Sequence, residues 1–146
     1  MNRALLMIAM TLALAFVIGG CAGGGAREAL VPAEDKDAFQ ATVLDSHKPV
    51  LVFFYKDACP MCAMLEPTME QLAAEYHGRA VVAKCSVMSA FFVGKNTELR
   101  AWYKIVLYPT VILFVEGRDR EHWETNNHTA AEYRKALDAV VGPRPR

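Results

Sequence analysis

Apolar residues come in blocks of differing period along this chain, and each period implies a different element. The first block, "MNRALLMIAMTLALAFVIGG", carries one charge, Arg3, and then runs on through Ala, Leu, Met, Ile, Phe and Val. A basic start followed by an apolar run has the build of a secretory leader; the run is also nearly long enough to span a bilayer as an uncleaved anchor. "AGGGAREALVPAE" follows with the composition of a short flexible tether, so residues 21–33 are expected to lie outside the folded domain. From Glu34 to Leu44, Ala38, Phe39 and Val43 recur at helical spacing, and "SHKP" ends the segment. "VLVFFY", residues 50–55, is a continuous apolar run rich in Val and Phe, the pattern of a strand buried on both faces.

Leu65, Met69, Leu72, Ala73 and Tyr76 then mark one face of a helix that "HGR" closes at Gly78. "AVVAKCSV", residues 80–87, reads as the next strand, and Asn96 or Thr97 offers a cap for a short helix in "NTELRAWYKI". "TVILFVEGRDREHWE" reads as two strands joined around Gly117. In "TAAEYRKALDAVV", Thr129 and Glu132 form a capping-box pattern ahead of an apolar stripe of Tyr133, Leu137, Val140 and Val141. Helix, strand, helix, strand, helix, strand, strand, helix is the order of a layered α/β domain. "GPRPR" stops the last helix and leaves residues 143–146 as an exposed tail.

Setting aside residues 1–20 leaves about 125 residues, which suits one domain around one core. Sixteen basic residues balance sixteen acidic ones. There is then no net field to recruit nucleic acid or anionic lipid. The leader ends in "IGGCAGGG", where Ile18 and two glycines precede Cys21; this resembles the lipobox of bacterial lipoproteins. That resemblance implies cleavage before Cys21 and acylation of the cysteine, with several acyl chains giving a stable membrane anchor. Ala22 and Gly23, rather than an Asp, follow the cysteine, which in a two-membrane bacterium points to the periplasmic side of the outer membrane. Either leader reading places the domain outside the cytoplasm, where disulfides persist.

Three further cysteines remain, Cys59, Cys62 and Cys85. Cys59 and Cys62 flank Pro60 and Met61 where a strand gives way to a helix. Unpaired amides and the macrodipole at a helix start stabilise a sulfur anion, so the first cysteine there would be exposed and nucleophilic. Cys62, nearly one turn on, would sit deeper and could close a disulfide with it. A redox couple competes with half of a metal site and with a short structural disulfide. A structural zinc site commonly needs two such pairs, and His47, His77, His122 and His128 are scattered. A loop so short removes little chain entropy, so a purely structural bridge would contribute little. Cys85, mid-strand, reads as apolar core filler, with a second redox role as the sharper alternative.

The order of motifs resembles the thioredoxin superfamily over most of residues 34–141. "VLVFFY" stands before "CPMC"; Pro67 lies five residues after Cys62; "VVAK" with Lys84 follows; and "YPT", Tyr108 to Thr110, precedes "VILFVEG". The resemblance implies a thioredoxin-like α/β fold over residues 34–142, a central mixed β-sheet flanked by helices. It also implies a cis Pro109 beside the CPMC turn and a substrate edge at Tyr108 and Pro109. The activity it implies is thiol-disulfide exchange with protein substrates through Cys59 and Cys62. No organic cofactor and no metal are called for, but a redox partner must reset the couple.

Some residues depart from the family pattern. Ala58 stands where thioredoxins usually carry Trp before the first cysteine, and Phe53 where they bury an Asp. Lys84 is thereby expected to lack its usual carboxylate neighbour, and burial without one disfavours a lysine's charged form. Asp57 and Glu66 are nearby in sequence without a definite place. "MSAFFVGK", residues 88–95, looks like an insertion; Phe91, Phe92 and Val93 are expected in the core, with an exposed patch near the turn as the alternative. Trp102 and Tyr103 are expected to pack on the sheet and Trp123 at its edge. A copper-binding or handover module, or a redox-inactive adaptor, is the other functional reading. The direction of exchange stays open.

Overall fold

The computed structural model describes residues 30–125 and 127–141; the leader, Cys21 and the 143–146 tail lie outside them. Five strands form one mixed sheet: β1 (Val31–Pro32), β2 (Val50–Lys56), β3 (Val81–Met88), β4 (Thr110–Val115) and β5 (Arg118–Glu124), in the order β1-β3-β2-β4-β5. β1 and β2 run parallel to β3, while β4 is antiparallel to both β2 and β5. The helices are α1 (Lys36–Phe39, continuing as a π-helical turn over Gln40–Leu44), α2 (Pro60–Glu75), α3 (Thr97–Trp102) and α4 (Ala130–Val141).

Each face of the sheet carries its own core, which is why β2 has no polar alternation. Leu51 and Phe53 point to one side, with Leu65, Met69 and Leu72 of α2 and Tyr133 and Leu137 of α4. Val50, Val52 and Phe54 point to the other, with Phe39 and Val43 of α1 and Leu99 of α3. Phe39 anchors that second side, its ring 6.0 Å from Phe54 and 5.8 Å from both Tyr103 and Phe114. Burial of this many large apolar groups is the main term opposing chain entropy.

Local chemistry starts and stops these elements. Asp35 caps α1 by accepting from the Ala38 amide at 2.8 Å. The Glu132 carboxylate reaches back to the Thr129 amide at 2.6 Å, half of the expected capping box. Its carboxyl is held below the usual range by that bond first. α2 and α4 are locked together by Arg134, which donates to both Glu75 oxygens at 2.6 and 2.8 Å, and by the Tyr76 hydroxyl, 2.8 Å from Asp138. Glu116 and Gly117, at φ 52° and 71°, make the tight turn between β4 and β5.

Several expectations are corrected. The supposed tether contributes to the domain from Leu30 onward: Val31 and Pro32 pair with Ala83 and Lys84, and Ala33 is fully buried. Two residues suffice because an edge strand needs a partner on one side only. Trp102 is 59% exposed, lying under the Lys36 ammonium rather than on the sheet, whereas Tyr103 does enter the core. Val140 faces solvent, its place on the buried stripe taken by Ala136. Asn96 does take the N-cap position of α3, its carbonyl accepting from the Arg100 amide at 3.0 Å, but its side-chain amide donates to Glu34 O and Ser86 O at 2.8 and 2.9 Å rather than serving the helix. Phe91, Phe92 and Val93 are 88%, 72% and 65% exposed, not core. Among the described residues, helices cover both faces of the sheet, and these three side chains join neither core.

Candidate active site

β2 leaves the sheet at Lys56 and reaches α2 through Asp57 and Ala58, the latter at φ 53°. Cys59 is the residue that caps α2, extended at φ −97° and ψ 112°, and its sulfur accepts from the Cys62 amide at 3.3 Å. Pro60 occupies the first helical position, where a missing N–H costs nothing. Cys62 is 4% exposed and Cys59 half-buried, and the two form a disulfide with their Cα atoms 5.2 Å apart. Met61 is exposed between them and Pro67 lies inside the helix, as the motif order implies.

The Tyr108–Pro109 peptide bond is cis. Pairing of Phe54 with Thr110 brings Pro109 to the end of β2 from which the chain turns toward Cys59. Pro109 is buried, its carbonyl accepting from the Thr125 amide at 2.7 Å, and the half-buried Tyr108 packs against both cores. Beside the disulfide is an open groove of about 330 Å³, walled by Phe53 and Tyr55 of β2, Asp57 and Ala58 of the turn, and Ala63 and Glu66 of α2.

The groove's titratable groups have definite partners. Asp57 is held below the usual carboxylate range by Lys95, whose ammonium lies 2.6 Å away, and by the Ser86 hydroxyl at 2.8 Å. Burial, then the hydrogen bond to Glu34, pushes the Tyr55 phenol well up, so it stays a donor. Lys84 is not the stranded cation expected: it is a third exposed and meets Glu66 at 3.2 Å. The large ring of Phe53 stands opposite Lys84 on β2, and the lysine reaches past it to the helix. Glu66 follows Cys62 by four residues, so the helical period places both on one face. That spacing was the available signal for Glu66; the ties of Asp57 to Lys95 and Ser86 span about thirty to forty positions and had none. Cys85 is fully buried in the second core and its thiol is pushed up to about 12, chiefly by burial. It packs in that core with the Asn96 side-chain amide donating to its sulfur at 3.7 Å.

The Thioredoxin family model matches residues 30–139, three quarters of the chain. The chain belongs to the thioredoxin family. It is 34% identical over 113 residues to a thioredoxin of Peptoclostridium acidaminophilum, covering 77% of this chain and 94% of that one. It is 40% identical over 86 residues to a thioredoxin of Chlorobaculum thiosulfatiphilum, covering 59% and 73%. Among solved structures, a mutant thioredoxin from Halobacterium salinarum NRC-1 superposes with a TM-score of 0.64 at 26% identity, covering 79% of this chain and 93% of that one. This thioredoxin-family chain is a thiol-disulfide oxidoreductase whose Cys59 and Cys62 stand at disulfide distance, and thioredoxins act on protein disulfides. Its site differs from the family pattern in the small Ala58 rim, the Phe53 ring, and a carboxylate supplied from α2 by Glu66.

Proposed function

We propose that this thioredoxin-family enzyme works outside the cytoplasm, tethered through lipid on Cys21, with Cys59 as nucleophile and Cys62 as resolving thiol. In the reducing direction the Cys59 thiolate attacks one sulfur of a substrate cystine. A mixed disulfide forms and one substrate thiolate leaves. Cys62 then attacks the Cys59 sulfur, forming the internal disulfide and releasing the second thiolate, so two electrons pass to the substrate. A dithiol partner resets the couple; run backwards, the same steps oxidise a substrate dithiol. The backbone at Tyr108, held by Pro109, takes the extended substrate segment as an added strand.

The observation that carries the assignment of roles is the asymmetry of the pair. Cys59 is partly exposed at the helix start with an amide aimed at its sulfur, while Cys62 is buried. Support for the anchor comes from the sequence around Cys21, "IGGCAGGG". Cys62→Ser should accumulate mixed disulfides with cellular proteins, and Cys59→Ser/Cys62→Ser should abolish them. A Cys62→Ser chain without adducts would overturn the roles. Absence of metabolic palmitate labelling in wild type, or labelling that survives Cys21→Ser, would overturn the lipid anchor.

A further inference from the structure

We propose that the loop 89–95 is a specificity-determining docking element that seats an extended apolar segment of the protein whose disulfide is exchanged. The proposal rests on the reading of Cys59 as the attacking thiol. Three consecutive apolar side chains, Phe91, Phe92 and Val93, stand more than half exposed. Leaving such a cluster in water is unfavourable, and contiguous apolar patches mark interaction surfaces.

The loop is built rather than slack. The Ser89 amide donates to Val93 O at 2.8 Å, the Phe92 amide to Ser89 O at 3.1 Å, and the Val93 amide to the Ser89 hydroxyl at 3.0 Å. Met88 bridges Gly94, and the Lys95 amide returns to Val87 O at 3.1 Å. Phe92 is held at φ 61° with the Lys56 ammonium 3.5 Å above its ring. A surface ordered before binding loses little entropy when it binds.

The loop is also tied to the redox turn. The Asp57 amide donates to Met88 O at 2.9 Å, and the Asp57 carboxylate holds Lys95 at the loop's other end. Asp57 precedes Cys59 by two residues, so their Cα atoms are at most about 7.6 Å apart. Exchange requires a substrate sulfur in bonding contact with Cys59, and a specific partner covers roughly 800 Å² on each side, a disc about 16 Å in radius. A protein seated for exchange thus reaches the base of this loop, where Met88 O meets the Asp57 amide. The surrounding charge favours a protein segment over an anionic membrane. Lys56 and Lys95 are engaged by Phe92 and Asp57, and Glu34 and Glu66 lie nearby, leaving a mixed rather than basic rim.

The test uses the full chain and two synthetic cystine peptides of equal length and charge, one flanked by Leu-Val-Leu and the other by Ser-Gly-Ser, with bis(2-hydroxyethyl) disulfide as a small substrate. Wild type should favour the apolar peptide about tenfold in kcat/KM, through KM, which is the effect of burying one large apolar side chain. Phe91→Ser/Phe92→Ser should bring that ratio to within about twofold while turning over the small disulfide unchanged. Phe91→Ser alone keeps the Lys56–Phe92 contact and should give an intermediate ratio. Small-disulfide turnover without any peptide preference in wild type, or a preference the double variant keeps, would overturn the docking role alone. Absence of turnover of the small disulfide as well would overturn the exchange reading itself. Vesicle cosedimentation or self-association lost in the double variant, without a peptide preference, would overturn the proposal in favour of those occupants.

Discussion

Replacing Phe53 by Asp would put a carboxylate where the family resemblance places a buried one, and here it should destabilise the fold. Phe53 is 1% exposed, stacks on Tyr55 with ring centroids 5.6 Å apart, and lies between Lys84 and Val111 on the neighbouring strands. Truncating a buried Phe costs about 3–5 kcal/mol. The new carboxylate adds a desolvation cost, and Lys84 opposite is already drawn to Glu66. A loss near 4 kcal/mol against a urea slope of about 2 kcal/mol/M moves the midpoint down by about 2 M. Phe53→Ala separates the cavity from the charge. Burial raises a carboxyl's pKa above its unfolded value of about 3.9, so between the two values the folded state binds more protons and stability falls as pH rises. The deficit of Phe53→Asp relative to Phe53→Ala should therefore grow from pH 4 to 7, by about 1.4 kcal/mol per unit of pKa elevation. The assay is urea unfolding of the reduced proteins across that range. A Phe53→Asp protein within about 0.5 kcal/mol of wild type at pH 7, or a deficit that does not shrink toward pH 4, would refute the reasoning.

In reduced Cys21→Ser protein, iodoacetamide at pH 8 should modify Cys59 in the native state, and the buried Cys62 and Cys85 only in denaturant. With its thiol pushed up to about 12, Cys85 is thiolate in about one molecule in ten thousand, and native labelling as fast as at Cys59 would restore a redox role for it. Gly117→Ala should lose about 1–3 kcal/mol by thermal unfolding, because residue 117 is held at φ 71° and a Cβ there would press on the Leu44 carbonyl. Gly78→Ala, at φ 75° with open space around it, should lose less, and equal losses would discount the Leu44 contact. Asp57→Asn should flatten part of the acid limb of the stability curve. A carboxyl depressed by Lys95 stabilises the fold above its unfolded pKa and loses that contribution as pH falls through the lower folded value, so an unchanged acid limb would argue against the tie.

Sequence alone determined the elements whose signal is local or periodic. An unbroken apolar β2, a helical stripe from Leu65 to Ala73, and a Cys-Pro-Met-Cys turn between them are written in neighbouring residues, and so was the family they resemble. Tertiary structure alone decided what depends on distant partners. Val31 and Pro32 look like tether because a two-residue edge strand has no periodicity, and only β3 makes them a strand. Lys84 found Glu66 across the sheet-helix interface, and Asp57 found Lys95 and Ser86, through contacts that no spacing encodes. Phe91, Phe92 and Val93 are as apolar as core residues, yet they join neither core. Hydrophobicity states what a side chain prefers, whereas the packing of every other element decides whether that preference can be met.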